Sequence, residues 1–351
     1  MSRFLSERFA GLKAYVPGEQ PRDRSYIKLN TNESPYPPAP QVIAAINSGE
    51  LEALRLYSDP ECKYLREALA EHYGLSPRNL CVGNGSDEIL NFAFMAFCDR
   101  DRGVSYPDIS YGFYPVFADV NGIAKDEIPL SADLSINIEA YLNTGTPVVI
   151  ANPNAPTGIC LSMDDIESIV KSNKNQVIII DEAYIDFGGE SCVPLIRKYD
   201  NLLVVQTFSK SRSLAGARLG YAIGSEELIA DIDKLRYSTN PYNVNRLTLL
   251  AGQAAISGKE YYDNINAEII RIREYTSEKL LELGFKLTDS KANFIFAKHK
   301  GMAGAELYTG LKQRGILVRH FDKQRITDYV RISIGTMEQM DRLLAELKEM
   351  L

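Results

Sequence analysis

Between about residues 77 and 224 the chain alternates short apolar runs with stretches of helical periodicity. The runs are NLCVG, RGVSYP, TPVVIANP, QVIIIDEAY, NLLVVQTFS and RLGYAIG, rich in Val and Ile and bounded by Gly, Pro or Asn. Polar residues do not alternate with apolar ones inside them. They therefore predict strands buried on both faces, as in a mostly parallel sheet covered by helices. Asp59-Pro60 predicts the start of a helix over ECKYLREALAEHYG, with Leu65, Ala68, Leu69 and His72 on one face. Ser162, three residues before Asp165, predicts an approximate capping box for MDDIESIVKSN, and Ser225 a cap for EELIADIDKLRYS.

After residue 225 the pattern changes. Residues 242–283 read as mostly helical with a break at Gly258, and the last 70 residues as strand, strand, helix, strand, strand, helix. The first 30 residues are irregular and Pro-rich, and pack either on this C-terminal unit or on a partner subunit. The pattern predicts an α/β chain of two domains, as a length of 351 residues allows. The large domain spans 30–240 and carries the mostly parallel sheet; a smaller, discontinuous α+β domain combines 1–29 and 241–351.

Charge narrows the function. With 39 Lys plus Arg against 46 Asp plus Glu, a net charge of −7 argues against coating nucleic acid or an anionic membrane. His72, His299 and His320 have no second ligand at metal spacing, so no metal is expected. The five cysteines are odd in number and form no C-x-x-C, which reads as reduced thiols in the cytoplasm. The amino-terminal segment has no signal-peptide core, and no stretch approaches the roughly 20 apolar residues of a membrane span. A soluble cytoplasmic protein acting on small molecules is the expectation.

Three pieces carry candidate chemistry. In QTFSKSRSLAGARLGY, Lys210 follows an apolar strand and stands near Arg212 and Arg218. A lysine becomes a nucleophile when desolvation or neighbouring cations keep its amine neutral; an isolated one is usually a surface residue. In VIIIDEAY, Asp181 ends an apolar strand at the edge where α/β sheets bind ligands, although a helix cap or Mg²⁺ ligand reads the same way. In VGNGSDEIL, Gly85, Ser86 and Asp87 precede an apolar helix and offer free amides to a phosphate; a plain strand-to-helix turn is the alternative. This segment matches neither the P-loop nor the G-x-G-x-x-G pattern. A phosphate cradle, a carboxylate and a Schiff-base lysine are together what pyridoxal 5′-phosphate requires.

The order GSDE, NPNAPTG, DEAY, SKSRSLAGARLG, VRISIGT resembles the fold type I pyridoxal-phosphate aminotransferases. LKAYVPGEQ, KLNTNESPYPP and LYSDPECKYLREAL extend the similarity over nearly the whole chain and most resemble its histidinol-phosphate branch. The resemblance implies a homodimer that moves an amino group between glutamate and imidazole acetol phosphate. The same fold also serves aromatic amino-acid aminotransferases and threonine-phosphate decarboxylases. It further implies that Lys210 carries the cofactor and shuttles the substrate proton, that Asp181 pairs with the pyridinium nitrogen, and that Tyr184 bonds the phenolic oxygen. The amides of Ser86 and Asp87, with Ser209 and Arg218, would hold the phosphate, joined by Tyr57 from the neighbouring subunit. Tyr111 would stack on the ring, unless it is simply part of the aromatic run SYGFYPVF. Arg331 would bind the substrate carboxylate and Arg319 its phosphate, with Tyr15 beside them or merely packed at the subunit contact. One position departs from the family pattern: Ala155 stands where an Asn donor to the phenolic oxygen is usual, leaving Asn154 to reach over or Tyr184 to serve alone.

Overall fold

The computed structural model of the chain describes residues 3–351. An irregular amino-terminal segment leads to β1 (Ile27–Lys28), followed by α1 (Pro40–Ala45), α2 (Ser48–Glu52) and α3 (Lys63–Tyr73). Strands and helices then alternate: β2 (Leu80–Gly83), α4 (Ser86–Phe97), β3 (Val104–Pro107), α5 (Tyr114–Asn121), β4 (Lys125–Ile128), β5 (Val148–Ala151), α6 (Met163–Ser172). Three strands follow with short connections, β6 (Ile178–Asp181), β7 (Leu202–Thr207) and β8 (Gly220–Ile223), and then three helices, α7 (Glu226–Thr239), α8 (Arg246–Ser257) and α9 (Lys259–Glu282). The chain closes with β9 (Phe285–Leu287), β10 (Phe294–His299), α10 (Gly304–Gln313), β11 (Ile316–Leu317), β12 (Arg319–His320), β13 (Tyr329–Ser333) and α11 (Met337–Met350).

Seven strands form the large sheet in the order β2-β8-β7-β6-β5-β3-β4. All neighbours are parallel except β8, which runs antiparallel to both β2 and β7. The apolar runs are explained by burial on both faces. Ile178 and Ile180 of β6 face a core shared with α3, α6 and α8, whereas Ile179 faces a second core built with α4, α5 and α7. By the same alternation, Asp181 ends β6 on the α4–α5 side.

A four-stranded antiparallel sheet, β12-β13-β10-β9, lies apart from the large one and packs its own core with α9, α10 and α11. The amino-terminal segment joins this unit, because β1 pairs in parallel with β11 and Leu29 enters the same core. From Val16 to Leu29 the segment meets the C-terminal unit, one of the two placements the pattern allowed, whereas Arg8 and Tyr15 contact Val120 and Phe113 around α5, a placement it did not offer.

The caps at Ser162 and Ser225 form as expected, and Gly258 separates α8 from α9. Two local expectations are corrected, and one strand forms that no apolar run predicted. Helix α3 starts at Lys63 rather than after Asp59, because Cys62 takes a left-handed conformation; Asp59 still caps it, accepting from the Lys63 amide at 2.8 Å. His72 is exposed, and the buried face of α3 is Leu65, Leu69 and Ala70. Strand β4 lies at the sheet edge with Lys125, Asp126 and Glu127 exposed, so its sequence carries no strand-like apolar pattern. Among the described residues no helix is long and apolar enough to cross a membrane.

Candidate active site

The site opens at the carboxyl end of β6, as the topology of α/β sheets favours. A cavity of about 240 Å³ is lined by Ser86, Asp87, Tyr111, Ala155, Asp181, Tyr184, Ser209, Lys210 and Arg218, together with Thr31, Glu33 and Thr207. Nine of the residues singled out in the sequence thus converge from five separate segments.

One end is an anion cradle. Gly85, at φ +88, turns the chain into α4, and the first-turn amides of Ser86 and Asp87 have no intrahelical acceptor. β8 presses its backbone against this turn: a Cβ on Gly220 would stand 2.3 Å from the Ser86 nitrogen and 2.5 Å from the Gly85 carbonyl carbon. Arg218 leans over the turn, its Nη2 2.9 Å from Asp87 Oδ2. Ser209 closes the side, its hydroxyl 3.0 Å from that of Thr207, which also accepts the Ser209 amide at 3.1 Å. Two free amides, hydroxyls and a guanidinium converging on one wall of the cavity suit a phosphate.

At the other end lies a buried carboxylate. Asp181 is 4% exposed. Tyr114 donates its hydroxyl proton to Oδ2 at 2.9 Å and the Ala183 amide donates to Oδ1 at 3.2 Å. Burial outweighs both bonds and pushes the Asp181 carboxyl up to about 7. A carboxylate left so short of compensation suits a protonated ring nitrogen. Tyr111 turns its hydroxyl to Asp87 Oδ1 at 2.6 Å, which fixes its ring on the cavity wall rather than in the core.

Lys210 stands between the two ends, its Nζ donating to the Thr31 carbonyl at 3.3 Å and lying 5.7 Å from the Tyr184 ring centroid. Tyr184 packs edge-on against Phe294, and its hydroxyl accepts from Asn32 Nδ2 at 3.0 Å. Glu33 also faces the cavity; burial pushes its carboxyl up, but hydrogen bonds from Lys28 and Thr31, each at 2.8 Å, outweigh this and leave it below the usual carboxylate range.

The two arginines enter from the small sheet. Arg319 on β12 and Arg331 on β13 are directly opposed partners in the antiparallel register. Directly opposed residues share one face, with Cβ atoms about 5 Å apart, and like charges so placed repel. Arg331 lies 5.3 Å and 5.6 Å from the Phe294 and Phe321 rings, and its buried Nε has no partner. Burial pulls its pKa down. An aromatic-walled guanidinium with a free N–H beside a second guanidinium calls for an anion. Arg319 is held meanwhile by the carbonyls of Val16 and Pro17, each at 3.1 Å.

Two expected contributors are placed elsewhere, and Tyr57, expected to act on a neighbouring chain, lies outside the cavity of its own. Asn154 turns away from the cavity: its amide donates to the Ile109 carbonyl and the Thr157 hydroxyl, each at 3.0 Å, and its oxygen accepts from Ser110 at 2.7 Å. Ala155 occupies the wall instead, so Asn154 does not replace the missing donor. Tyr57 is 80% exposed and stacks on Tyr242, outside the cavity of its own chain. Tyr15 stacks on Phe113 with centroids 4.1 Å apart, a packing role, although it stands within the field of Arg319 and Arg331. Conversely, Tyr114, Thr207, Asn32 and Glu33 join the site unannounced. Asn32 and Glu33 lie inside KLNTNESPYPP, a polar run whose place in the fold only the β1–β11 pairing reveals.

A primary amine between a carboxylate and an anion cradle is no arrangement for a nucleotide. It suits an enzyme that holds a phosphorylated aldehyde covalently, and the residues present fit pyridoxal 5′-phosphate. The comparisons with known proteins agree: residues 24–347 match the model of aminotransferase class I and II, and the chain belongs to that family. It is 50% identical to the histidinol-phosphate aminotransferase of Brachyspira hyodysenteriae over 349 residues, covering 99% of both chains. It is 47% identical to that of Clostridium acetobutylicum over the same length and coverage. The fold is shared with the crystal structure of histidinol-phosphate aminotransferase from Sinorhizobium meliloti in complex with pyridoxal-5′-phosphate, with a TM-score of 0.88 at 23% identity over 100% of this chain and 99% of that one.

Proposed function

We propose that this chain is a pyridoxal-phosphate-dependent aminotransferase that moves an amino group between glutamate and imidazole acetol phosphate, giving 2-oxoglutarate and L-histidinol phosphate in histidine biosynthesis. The relatives at 50% and 47% identity support the substrate. The structural observation that carries it is the opposed pair Arg319 and Arg331 beside the lysine cavity. One site must accept a carboxylate from glutamate and a phosphate ester from the other substrate, and two adjacent guanidiniums provide for both.

When bound, pyridoxal phosphate supplies an aldehyde carbon that exchanges amines and a ring that accepts electrons. The chain supplies the rest. Ser86, Asp87, Ser209 and Arg218 hold the phosphate. Asp181 keeps the ring nitrogen protonated, and Tyr111 covers the ring. Tyr184 donates toward the phenolic oxygen. Lys210 Nζ would hold the cofactor by its aldehyde carbon and, once freed by substrate, would be the base that moves the proton at the substrate Cα. Arg331 binds the carboxylate and Arg319 the phosphate ester.

The proposal includes a homodimer. Tyr57 serves a phosphate site only by reaching a neighbouring chain, and it stands in an exposed apolar band with Leu51, Leu54, Leu56 and Tyr64. The boundary expected after residue 240 is proposed nearer Gly258 instead, since α8 packs on α1 and α3 while α9 packs on β9 and α11. Five unpaired cysteines support a cytoplasmic location. Turnover of glutamate with imidazole acetol phosphate, lost together with borohydride-fixable cofactor in Lys210→Ala, is the test. Release of CO₂ from threonine phosphate in place of amino transfer would favour the decarboxylase reading.

A further inference from the structure

We infer that Asn32 is a positioning residue that fixes the hydrogen-bonding direction of Tyr184, in place of the second donor that Ala155 lacks. The inference deepens the function proposed above and rests on it.

The direction follows from a closed chain of bonds. Ser333 Oγ accepts the Asn32 amide N–H at 2.8 Å, so its own proton goes to Asn32 Oδ1, also at 2.8 Å. That places the oxygen of the Asn32 side chain toward Ser333 and the NH₂ group toward Tyr184, at 3.0 Å. The Tyr184 hydroxyl therefore accepts from Asn32, and its single proton is left for the cavity. Asn32 and Ser333 are 1% and 2% exposed, so water does not compete for these bonds. The backbone is held as well: Asn32 has φ +55, and its carbonyl accepts from Asn293 Nδ2 at 3.0 Å. The preceding carbonyl, of Thr31, is the one that receives Lys210 Nζ. One turn of chain thus sets both the lysine amine and the tyrosine hydroxyl. Ala155, on the same wall, offers no hydrogen, and Asn154 is fully engaged elsewhere.

A hydrogen bond donated to the phenolic oxygen stabilises its anion and so lowers the pH at which the lysine-linked cofactor loses its proton. The test is an absorbance titration of the holoenzyme. Asn32→Asp keeps the shape but replaces the donor with an acceptor, turning the Tyr184 proton away from the cavity. Asn32→Gly removes the side chain at a φ that glycine adopts freely. Both variants are expected to raise the titration midpoint by about one pH unit, the weight of one hydrogen bond. Adding Ala155→Asn is expected to lower the midpoint by more in Asn32→Gly than in the wild type, where Tyr184 already donates, a difference that a merely structural role for Asn32 would not produce. Folded, cofactor-loaded variants that titrate as the wild type would overturn the inference. A wild-type protein with no such absorbance would instead overturn the function on which it rests.

Discussion

Replacing Asp181 by Asn removes a charge that the fold holds at a cost. With its pKa raised to about 7 from an ordinary value of 3.8, the cofactor-free native state binds a proton that the unfolded chain has already released across that interval. Stability therefore falls as pH rises from about 4 to about 7 and levels off above. A shift of roughly three pH units, at 1.36 kcal/mol each, makes the loss about 4 kcal/mol, as an upper bound. Asn keeps one oxygen, which can accept from the Ala183 amide as Oδ1 does at 3.2 Å, turns its NH₂ to the Tyr114 hydroxyl, which can accept in place of its 2.9 Å bond to Oδ2, and carries no charge to desolvate. Thermal unfolding of the cofactor-free proteins at pH 5 and pH 8 isolates the effect, since all other titrating groups cancel in the comparison. The wild type should lose several degrees more than Asp181→Asn between the two pH values. With cofactor added the order reverses, because the wild type gains a protonated nitrogen opposite its carboxylate, and turnover of the variant should fall by about 10²–10³-fold. Parallel pH dependences for the two cofactor-free proteins would refute the claim that Asp181 is a strained, uncompensated charge.

Gly220→Ala places a methyl 2.3 Å from the Ser86 nitrogen, so the cradle turn must move; denaturant unfolding should show a loss of about 1–3 kcal/mol, accompanied by weaker cofactor binding in a fluorescence titration. Arg319→Ala should lower kcat/KM for L-histidinol phosphate by about 10²-fold, the worth of charge-assisted hydrogen bonds, in steady-state assays. The same variant should unfold no earlier than the wild type, because removing one of two opposed cations relieves repulsion. Tyr57→Ala should leave sedimentation consistent with a dimer while raising the cofactor concentration needed for half-maximal activity.

The large sheet was legible because most of its strands are buried on both faces, so runs such as VIII, leading through β6 to Asp181, stand out without alternation. Asp181 and Lys210 were legible for the same reason: each follows an apolar run and so falls at the sheet's carboxyl edge. Strand β4 was hidden, since an edge strand carrying Lys125, Asp126 and Glu127 looks like any solvated loop. The start of α3 lies three residues later than expected, at Lys63 rather than Pro60, because of the turn at Cys62, where Asp59 caps from outside the helix. Asn32 was out of reach, because its meaning comes from Ser333, Asn293 and Tyr184, all far along the chain. The opposed arginines became a pair only when β12 and β13 were set in register.

The central claim is a site built for a phosphate ester and a carboxylate in turn. Amino transfer from glutamate to imidazole acetol phosphate, measured against transfer to phenylpyruvate, tests it most directly. A kcat/KM at least about 100-fold higher for the phosphate ester is the predicted result. Equal or faster transfer to phenylpyruvate would contradict it.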